Sequence, residues 1–443
     1  MEDTEGTVSP PQVAVTSIML SAALMALASG LTFAYIPIKL ASLDFQPWVA
    51  ASMTPALALG GLAGCIAVGP LLRLSGHARV FMLLYAMIII SMVIIAAVPS
   101  VVAWLFARAL YGFGVNGMFI VAQSWLHDVS TDHNRGKTIT TFYVSYVVAL
   151  GFGAFTIRFI EIDGNLIPLI ATLFVAIAMV PVGLTRLKQP APPERVTVAL
   201  RRVWQISPVG LAGMFAVGGM TMTLQSFAPI YANAEGFPKA DVGLLMLLMQ
   251  LGLLVIQIPM GLLSDRIDRR RVLLAVSVIA STAAGFSIYA DGSYTLLWMV
   301  LVFAVWNGAT ETIYSVSSAL ANDRADPKDY VLLSSTQMIA WSISGFVVPL
   351  IATVAIQYLP LSVFMWMLVS ISLCFGVFVL VRMRMTDAVE PEDREIFQTA
   401  TAQVVYPGEF VHPEPSMVDP APKPAEFGHP ETTMDDLVPE PAE

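Results

Sequence analysis

Glu311 is the one carboxylate placed deep inside a long apolar run of this 443-residue chain. About 10 residues, or roughly 15 Å along a helix, separate it from the nearer charged end of that run. A carboxyl group isolated in hydrocarbon is poised to carry a proton or bind a cation. Asn307, Thr310, Tyr314 and Ser318 share or flank its helical face. The competing reading is a neutral glutamic acid hydrogen-bonded between helices. Arg108 is the other ionisable residue inside an apolar run, and it has no basic neighbour. An arginine there costs at least ~2.5 kcal/mol unless it faces a wet cavity or a partner. Gly112, Asn116 and Gln123 continue its helical face, a stripe that points at a central pathway. The alternative is a structural arginine bonded to carbonyls of a neighbouring helix.

A second kind of chemistry lies between apolar runs. Gly261 through Arg271 reads Gly-Leu-Leu-Ser-Asp-Arg-Ile-Asp-Arg-Arg-Arg. Asp265 ends one run, while Arg269 and Arg270 precede the next. A carboxylate placed so can bridge to helix N-terminal amides and to arginines, holding neighbouring helices together. The plainer reading is a cationic loop that only sets topology. A weakened copy, from Gly69 through Arg73 and Gly76 to Arg79, has arginine where the aspartate stands.

These residues need elements that cross lipid. The chain is 56% hydrophobic and 12% charged, against about 25% charged in soluble domains. A water-soluble core cannot hide that much apolar surface, so lipid is the solvent. The net charge of −9 is concentrated at one end, because residues 385–443 hold 14 acidic and two basic side chains. Cys65 and Cys374, the only cysteines, fall in apolar runs and read as small buried thiols rather than a disulfide framework. The first apolar run begins near Val13 without a basic flank and exceeds a signal-peptide core, so it reads as a retained span.

A span needs about 20 apolar residues. Twelve runs qualify: 13–38, 47–71, 80–98, 101–126, 138–160, 165–186, 207–232, 240–263, 272–290, 294–321, 331–355 and 359–382. Loop charges agree with an even count. Seventeen basic residues fall on one side, and three (Lys39, Lys239 and Arg158) on the other. That asymmetry puts the basic side and both termini in the cytoplasm. Residues 1–12 form a short cytoplasmic N-terminus, 13–186 six spans, 187–206 a polar proline-rich linker, and 207–384 six more. Residues 385–443, with ten prolines, form an acidic tail too poor in apolar runs to fold. Phe33-Ala-Tyr-Ile-Pro37 answers Phe227-Ala-Pro-Ile-Tyr231 across the linker. Such parallel repeats predict two six-helix bundles facing each other across a central cavity.

Several activities find no support. The five histidines lie at span ends, in loops or in the tail, so no deep histidine relay or metal site is expected. No Walker A loop appears, so direct ATP drive is unsupported. A membrane acyl- or glycosyl-transferase would need paired catalytic groups near an interface, and only loop residues such as His127 and Asp128 are there. No cofactor and no nucleic-acid partner is implied.

The pattern resembles the Major Facilitator Superfamily. Gly261, Ser264, Asp265, Arg266, Arg269 and Arg270 match that family's loop signature, with Asp268 where glycine is usual. Arg108, Gly112 and Gly114 are similar to its fourth-helix motif. Ser124-Trp125-Leu126 with Asn134-Arg135-Gly136, the Ser264–Arg271 loop and Ala321-Asn322-Asp323-Arg324 resemble the bacterial YcaD-like branch, which often has glutamate where Gln123 stands. The resemblance implies an all-α membrane protein of twelve helices in two pseudo-symmetric six-helix bundles. It implies alternating-access transport of a small organic molecule by a monomer in the bacterial inner membrane. It also implies that the Asp265 loop acts as a conformational latch, and that spans one, seven and eleven line the cavity. Thr32, Phe33, Thr221, Gln225, Gln337 and Trp341 lie on those spans, and of these Gln225 and Trp341 are taken as pathway candidates. Proton coupling follows from Glu311, and export from the apolar character of the lining. Uptake by the same fold, or a sensor signalling through the acidic tail, are the alternatives.

Overall fold

A computed structural model describes residues 11–129, 135–162, 164–185, 198–289, 295–326 and 329–387. Among these residues the chain is helical, without strands. The helices are α1 (Pro11–Ser42), α2 (Pro47–Ser75), α3 (His77–Ala97), α4 (Val101–Val129), α5 (Arg135–Phe155), α6 (Leu166–Leu184) and the short α7 (Leu200–Ile206). They continue as α8 (Pro208–Ala234), α9 (Lys239–Arg266), α10 (Arg269–Tyr289), α11 (Leu296–Asn322), α12 (Tyr330–Ala355) and α13 (Val363–Met385). All but α7 belong to the twelve long enough and apolar enough to cross a membrane.

Local chemistry sets the helix ends. Pro47 opens α2, and Gly76 closes it at φ 77°, a left-handed backbone that glycine adopts without penalty. Ser207 and Thr295 cap α8 and α11 by accepting the Gly210 and Trp298 amides. Large apolar side chains point outward along many helices; Ile66, Val102, Phe106 and Leu173 are more than half exposed. In water such a surface would aggregate, and in hydrocarbon it costs nothing.

The interior is closed by glycine. A Cβ on Gly64 of α2 would lie 2.7 Å from the Phe113 carbonyl oxygen of α4, and one on Gly112 would strike the Leu57 carbonyl. Only a missing side chain lets these backbones approach, the usual device where lipid supplies no hydrophobic drive between helices. Gly30 and Gly153 do the same for α1 on α5, and Gly218 for α8 against the Trp341 carbonyl of α12. Packed pairs recur along the chain. Contacts of α1 with α5, α2 with α4 and α3 with α4 have counterparts in α8 with α12, α9 with α11 and α10 with α11. Two further contacts, α2 with α12 and α5 with α9, join the first six spans to the last six.

Three sequence expectations change, on the loop, the thiols and the linker, and the place of Arg158 is defined more closely. α9 runs through Arg266 and α10 starts at Arg269, so the supposed loop is mostly helix. Ser264, bonded back to the Gly261 carbonyl at 2.7 Å, lies within the last turns of α9. Arg158 lies on a 3-10 turn after α5 (Thr156–Phe159), over the Phe155 and Phe159 rings. Cys374 is exposed on the outer face of α13 and Cys65 is half-buried, so the thiols are not core groups. A small apolar thiol faces lipid as readily as protein. Within the 187–206 linker, residues 200–206 form α7, whose Arg202 pairs with Asp329 at 2.8 Å. Residues 1–10, 186–197 and 388–443, which hold most of the proposed N-terminus, linker and tail, lie outside the described residues.

Candidate functional site: a central pathway and a buried clamp

Residues from both ends of the sequence meet at two adjoining cavities. One spans about 430 Å³ of non-protein space, part of it open to the surroundings, and is lined by Ser29, Phe33, Leu57, Tyr111, Gly112, Val115, Asn116, Phe119, Tyr146, Met222 and Trp341. The other, about 350 Å³, is lined by Gly30, Phe33, Leu150, Ala154, Gln225, Met246, Met249 and Gln250. Phe33 borders both. The expected pathway residues Gly112, Asn116, Gln225 and Trp341 therefore line the cavities. Gly112 has a second duty as the close-contact point with α2.

Arg108 lies one helical turn before Gly112. It is 3% exposed, with its guanidinium carbon 5.0 Å from the ring centres of both Phe33 and Tyr111. Two aromatic faces thus hold the cation electrostatically. Neither Nε nor Nη1 has a hydrogen-bond partner, so Arg108 is not the carbonyl-bonded structural arginine that the sequence also allowed. Gln123 is buried with both amide atoms unpaired and lines neither cavity. It shares Arg108's helical face, and Arg108 too is absent from both linings, standing behind Phe33 and Tyr111.

Glu311 sits in the middle of α11 and is 2% exposed. The Thr221 hydroxyl of α8 faces it, yet neither Thr221 Oγ1 nor Glu311 Oε2 completes a hydrogen bond of normal geometry. Thr310 and Ser318 are also buried with unpaired hydroxyls, and Tyr314 is buried on the same helix. Asn307 donates to the Met249 carbonyl of α9 at 3.1 Å, which makes it a packing residue between α9 and α11. Beside Glu311 runs a polar chain that the sequence reading missed. Tyr143 on α5 donates to Gln257 Oε1 on α9 at 2.7 Å, and the Gln257 amide donates to Ser315 on α11. Ser315 is one turn from Glu311, and Tyr143 lies within electrostatic reach of that carboxylate. This chain joins the first six spans to the last six.

The other focus is at the far end of α9. Arg269 is buried, and its guanidinium meets Asp323, the residue that caps the end of α11, through Nε at 2.7 Å and Nη2 at 3.3 Å. Its Nη1 reaches Ser264 Oγ at 3.1 Å and Asp265 at 3.3 Å. Arg270 pairs with Asp268 at 2.8 Å and donates to the Thr386 carbonyl at 2.7 Å. Arg324 donates to the Asp387 carbonyl at 3.0 Å. Burial, then the adjacent Arg270 cation, pushes the Arg324 guanidinium below its usual pKa, while Asp268 and Asp323 counteract this. The ends of α9, α10, α11 and α13 are thus stitched together. Asp265, expected to bridge helices, pairs with Arg269 at 3.3 Å and so links α9 to α10 across their turn. Asp323 makes the closer link to α11. Gly261 is buried within α9, and Arg266 is exposed.

The degenerate copy differs in kind. Arg73 and Arg79 are exposed, and Gly69 and Gly76 are half-buried. Eight residues after Gly69, where the second copy has Arg269 after Gly261, stands His77. It is buried, lies 3.0 Å from Ser124 Oγ and within electrostatic reach of Asp128. The equal spacing was a readable signal for His77, and the reading centred on Arg73 passed over it. At the opposite end, Lys239 and Lys39 donate to the Ile160 and Ile162 carbonyls at 2.7 and 3.2 Å. Thr54 on α2 bonds Ser226 on α8 at 2.6 Å.

A lipid-exposed bundle of twelve apolar helices around aromatic-lined cavities, with buried unpaired polar groups inside, is the architecture of a multi-pass membrane transporter. Residues 18–238 and 209–422 both match the Major Facilitator Superfamily, and the chain belongs to that family. It is 20% identical over 356 residues to the MFS-type transporter YcaD of Salmonella dublin, covering 80% of this chain and 91% of that one. The same figures hold for YcaD of Salmonella enteritidis PT4. The fold is similar to that of the POT family transporter PepTSo, with a TM-score of 0.69 at 11% identity over 86% of this chain and 99% of that one. The nucleoside transporter NupG gives a TM-score of 0.67 at 10% identity, over 84% and 99%. Family membership makes the protein a transporter rather than an enzyme.

Proposed function

We propose that this protein is a proton-coupled secondary transporter that exports a small organic molecule from a bacterial cell, its two six-helix bundles rocking about the central cavities. Both termini face the cytoplasm, and the monomer is the working unit. The observation that carries the reading is Glu311: a carboxylate at mid-membrane with one oxygen lacking any hydrogen-bond partner, one turn from a polar chain that spans both bundles. A proton on Glu311 changes the charge beside Tyr143, and so biases the contact between α5 and α9. The Arg269–Asp323 clamp supports the latch role expected of the Asp265 region, holding one set of helix ends together in one conformation. Export is assigned because the lining is mainly apolar and aromatic, a surface suited to amphiphilic solutes.

The test starts from a growth screen of a deletion strain across toxins and carbon sources, which supplies the solute. Purified protein in proteoliposomes should then move that solute in response to a pH gradient. Glu311→Gln, a permanently neutral isostere, should remove the response to the gradient while leaving downhill exchange. Full proton-driven accumulation by Glu311→Gln would dismiss Glu311 as the carrier.

A further inference from the structure

We infer that the larger cavity is a binding site for an amphipathic organic monoanion, a carboxylate attached to an aromatic or alkyl body, with Arg108 as counter-ion and Trp341 as a second donor. This rests on the transport reading for its purpose but on separate observations for its chemistry.

Trp341 lines the cavity, and its indole Nε1–H, able only to donate, has no acceptor. Arg108 Nε and Nη1, also donors only, have none either, although the side chain is almost fully buried. A buried cation held by aromatic faces but with two N–H groups lacking acceptors still carries a desolvation cost, which a bound anion would relieve. Among the described residues no aspartate or glutamate lines either cavity, so an organic cation would meet aromatic faces but no counter-charge, and would be repelled by Arg108. The remaining wall is apolar and aromatic, with the Ser29, Tyr111 and Tyr146 hydroxyls and the Asn116 amide as its other polar groups.

Arg108 itself lines neither cavity, so a ligand would reach it past a ring. The Arg108 guanidinium lies against Phe33 and Tyr111, both of which line the cavity. Phe33 is only partly buried and borders both cavities, so it is the ring that would turn aside to let a carboxylate reach Arg108. One fixed cation suits a single negative charge, and a phosphate dianion would remain half-compensated. An interior-negative membrane potential drives a monoanion outward, which agrees with export.

The experiment measures binding to the full-length protein in nanodiscs by calorimetry. The probes are 3-phenylpropionate, its neutral amide and the cationic 3-phenylpropylamine. The carboxylate should bind about tenfold or more tighter than the amide, the amine weakest of the three. Arg108→Gln should bring carboxylate and amide within about twofold, while Arg108→Lys keeps part of the preference. Trp341→Phe should weaken the carboxylate about tenfold. The wild-type panel stands even if a variant fails to fold. The proposal is overturned if the amide or amine binds as tightly as the carboxylate, if none of the three binds, or if Arg108→Gln keeps the preference. A carboxylate that binds with this preference but is never moved across proteoliposomes leaves the anion site standing and sinks the transport reading. Flux without charge preference does the reverse.

Discussion

Replacing Asp323 by asparagine should harm the protein far more than the same change at Asp265. Both carboxylates contact Arg269, so each substitution takes one negative charge away from the same guanidinium. Their settings differ. The Asp323 and Arg269 side chains are each 1% exposed and meet through two nitrogens, at 2.7 and 3.3 Å. Breaking a buried pair by removing one partner costs about 3–5 kcal/mol. Because Ser264 and Asp265 still contact Arg269, at 3.1 and 3.3 Å, the lower end, about 3 kcal/mol, is expected for Asp323→Asn. Asp265 is 28% exposed and makes its Arg269 contact at 3.3 Å, which places it nearer the surface range of about 0.2–1 kcal/mol. The gap of about 2 kcal/mol corresponds to roughly thirtyfold in the unfolding equilibrium. Reversible unfolding by SDS in mixed micelles, followed by tryptophan fluorescence, would measure it. An Arg269→Met/Asp323→Leu double variant should recover much of the loss, since an apolar pair needs no desolvation. If Asp265→Asn costs as much as Asp323→Asn, or if Asp323→Asn costs under about 1 kcal/mol, Asp323 is not the chief partner of Arg269.

Three further outcomes follow from the geometry. Gly112→Ala would push a methyl group into the Leu57 carbonyl and should cost about 1–3 kcal/mol by the same unfolding assay; Gly183→Ala, with nothing within 4 Å of the added carbon, is the neutral control. Thr54→Cys/Ser226→Cys, built on a Cys65→Ser/Cys374→Ser background, should form a disulfide where hydroxyls now lie 2.6 Å apart. Oxidation should stop vesicle transport of the solute found by the growth screen, reduction should restore it, and unimpeded transport by the cross-linked protein would rule out parting of α2 from α8. Truncation after Asp387 keeps the carbonyls that bind Arg270 and Arg324 and should preserve transport. Loss of a cellular output with transport intact would instead favour a signalling tail.

Span count and loop signature were legible because both are local. Lipid demands uninterrupted apolar length, and the Ser264–Arg271 segment keeps its spacing in one short stretch. What the sequence hid was pairing between distant helices. Asp323 lies 54 residues from Arg269, and Tyr143 lies 114 from Gln257. No periodicity links such residues, and an amide or tyrosine inside a span reads as ordinary packing. Glu311 and Arg108 stood out because charge in hydrocarbon is costly, so composition alone singled them out. Their surroundings did not follow, and neither the Phe33–Arg108–Tyr111 stack nor the unpaired donors could be read from spacing. Asp265 was given the leading role because the motif contains it, yet burial favours Asp323.

Rocking of two bundles is most directly measured as two distances. Spin labels on Glu161 and Ala234 would report the end closed by Lys239, and labels on Arg73 and Arg271 the end nearer the Arg269 clamp, each pair on the Cys65→Ser/Cys374→Ser background in nanodiscs. Pulsed dipolar spectroscopy in acid and in alkaline buffer should give two populations per pair, one end lengthening as the other shortens, with the pH response lost in Glu311→Gln. A single unchanging distance at both ends under every condition would contradict alternating access.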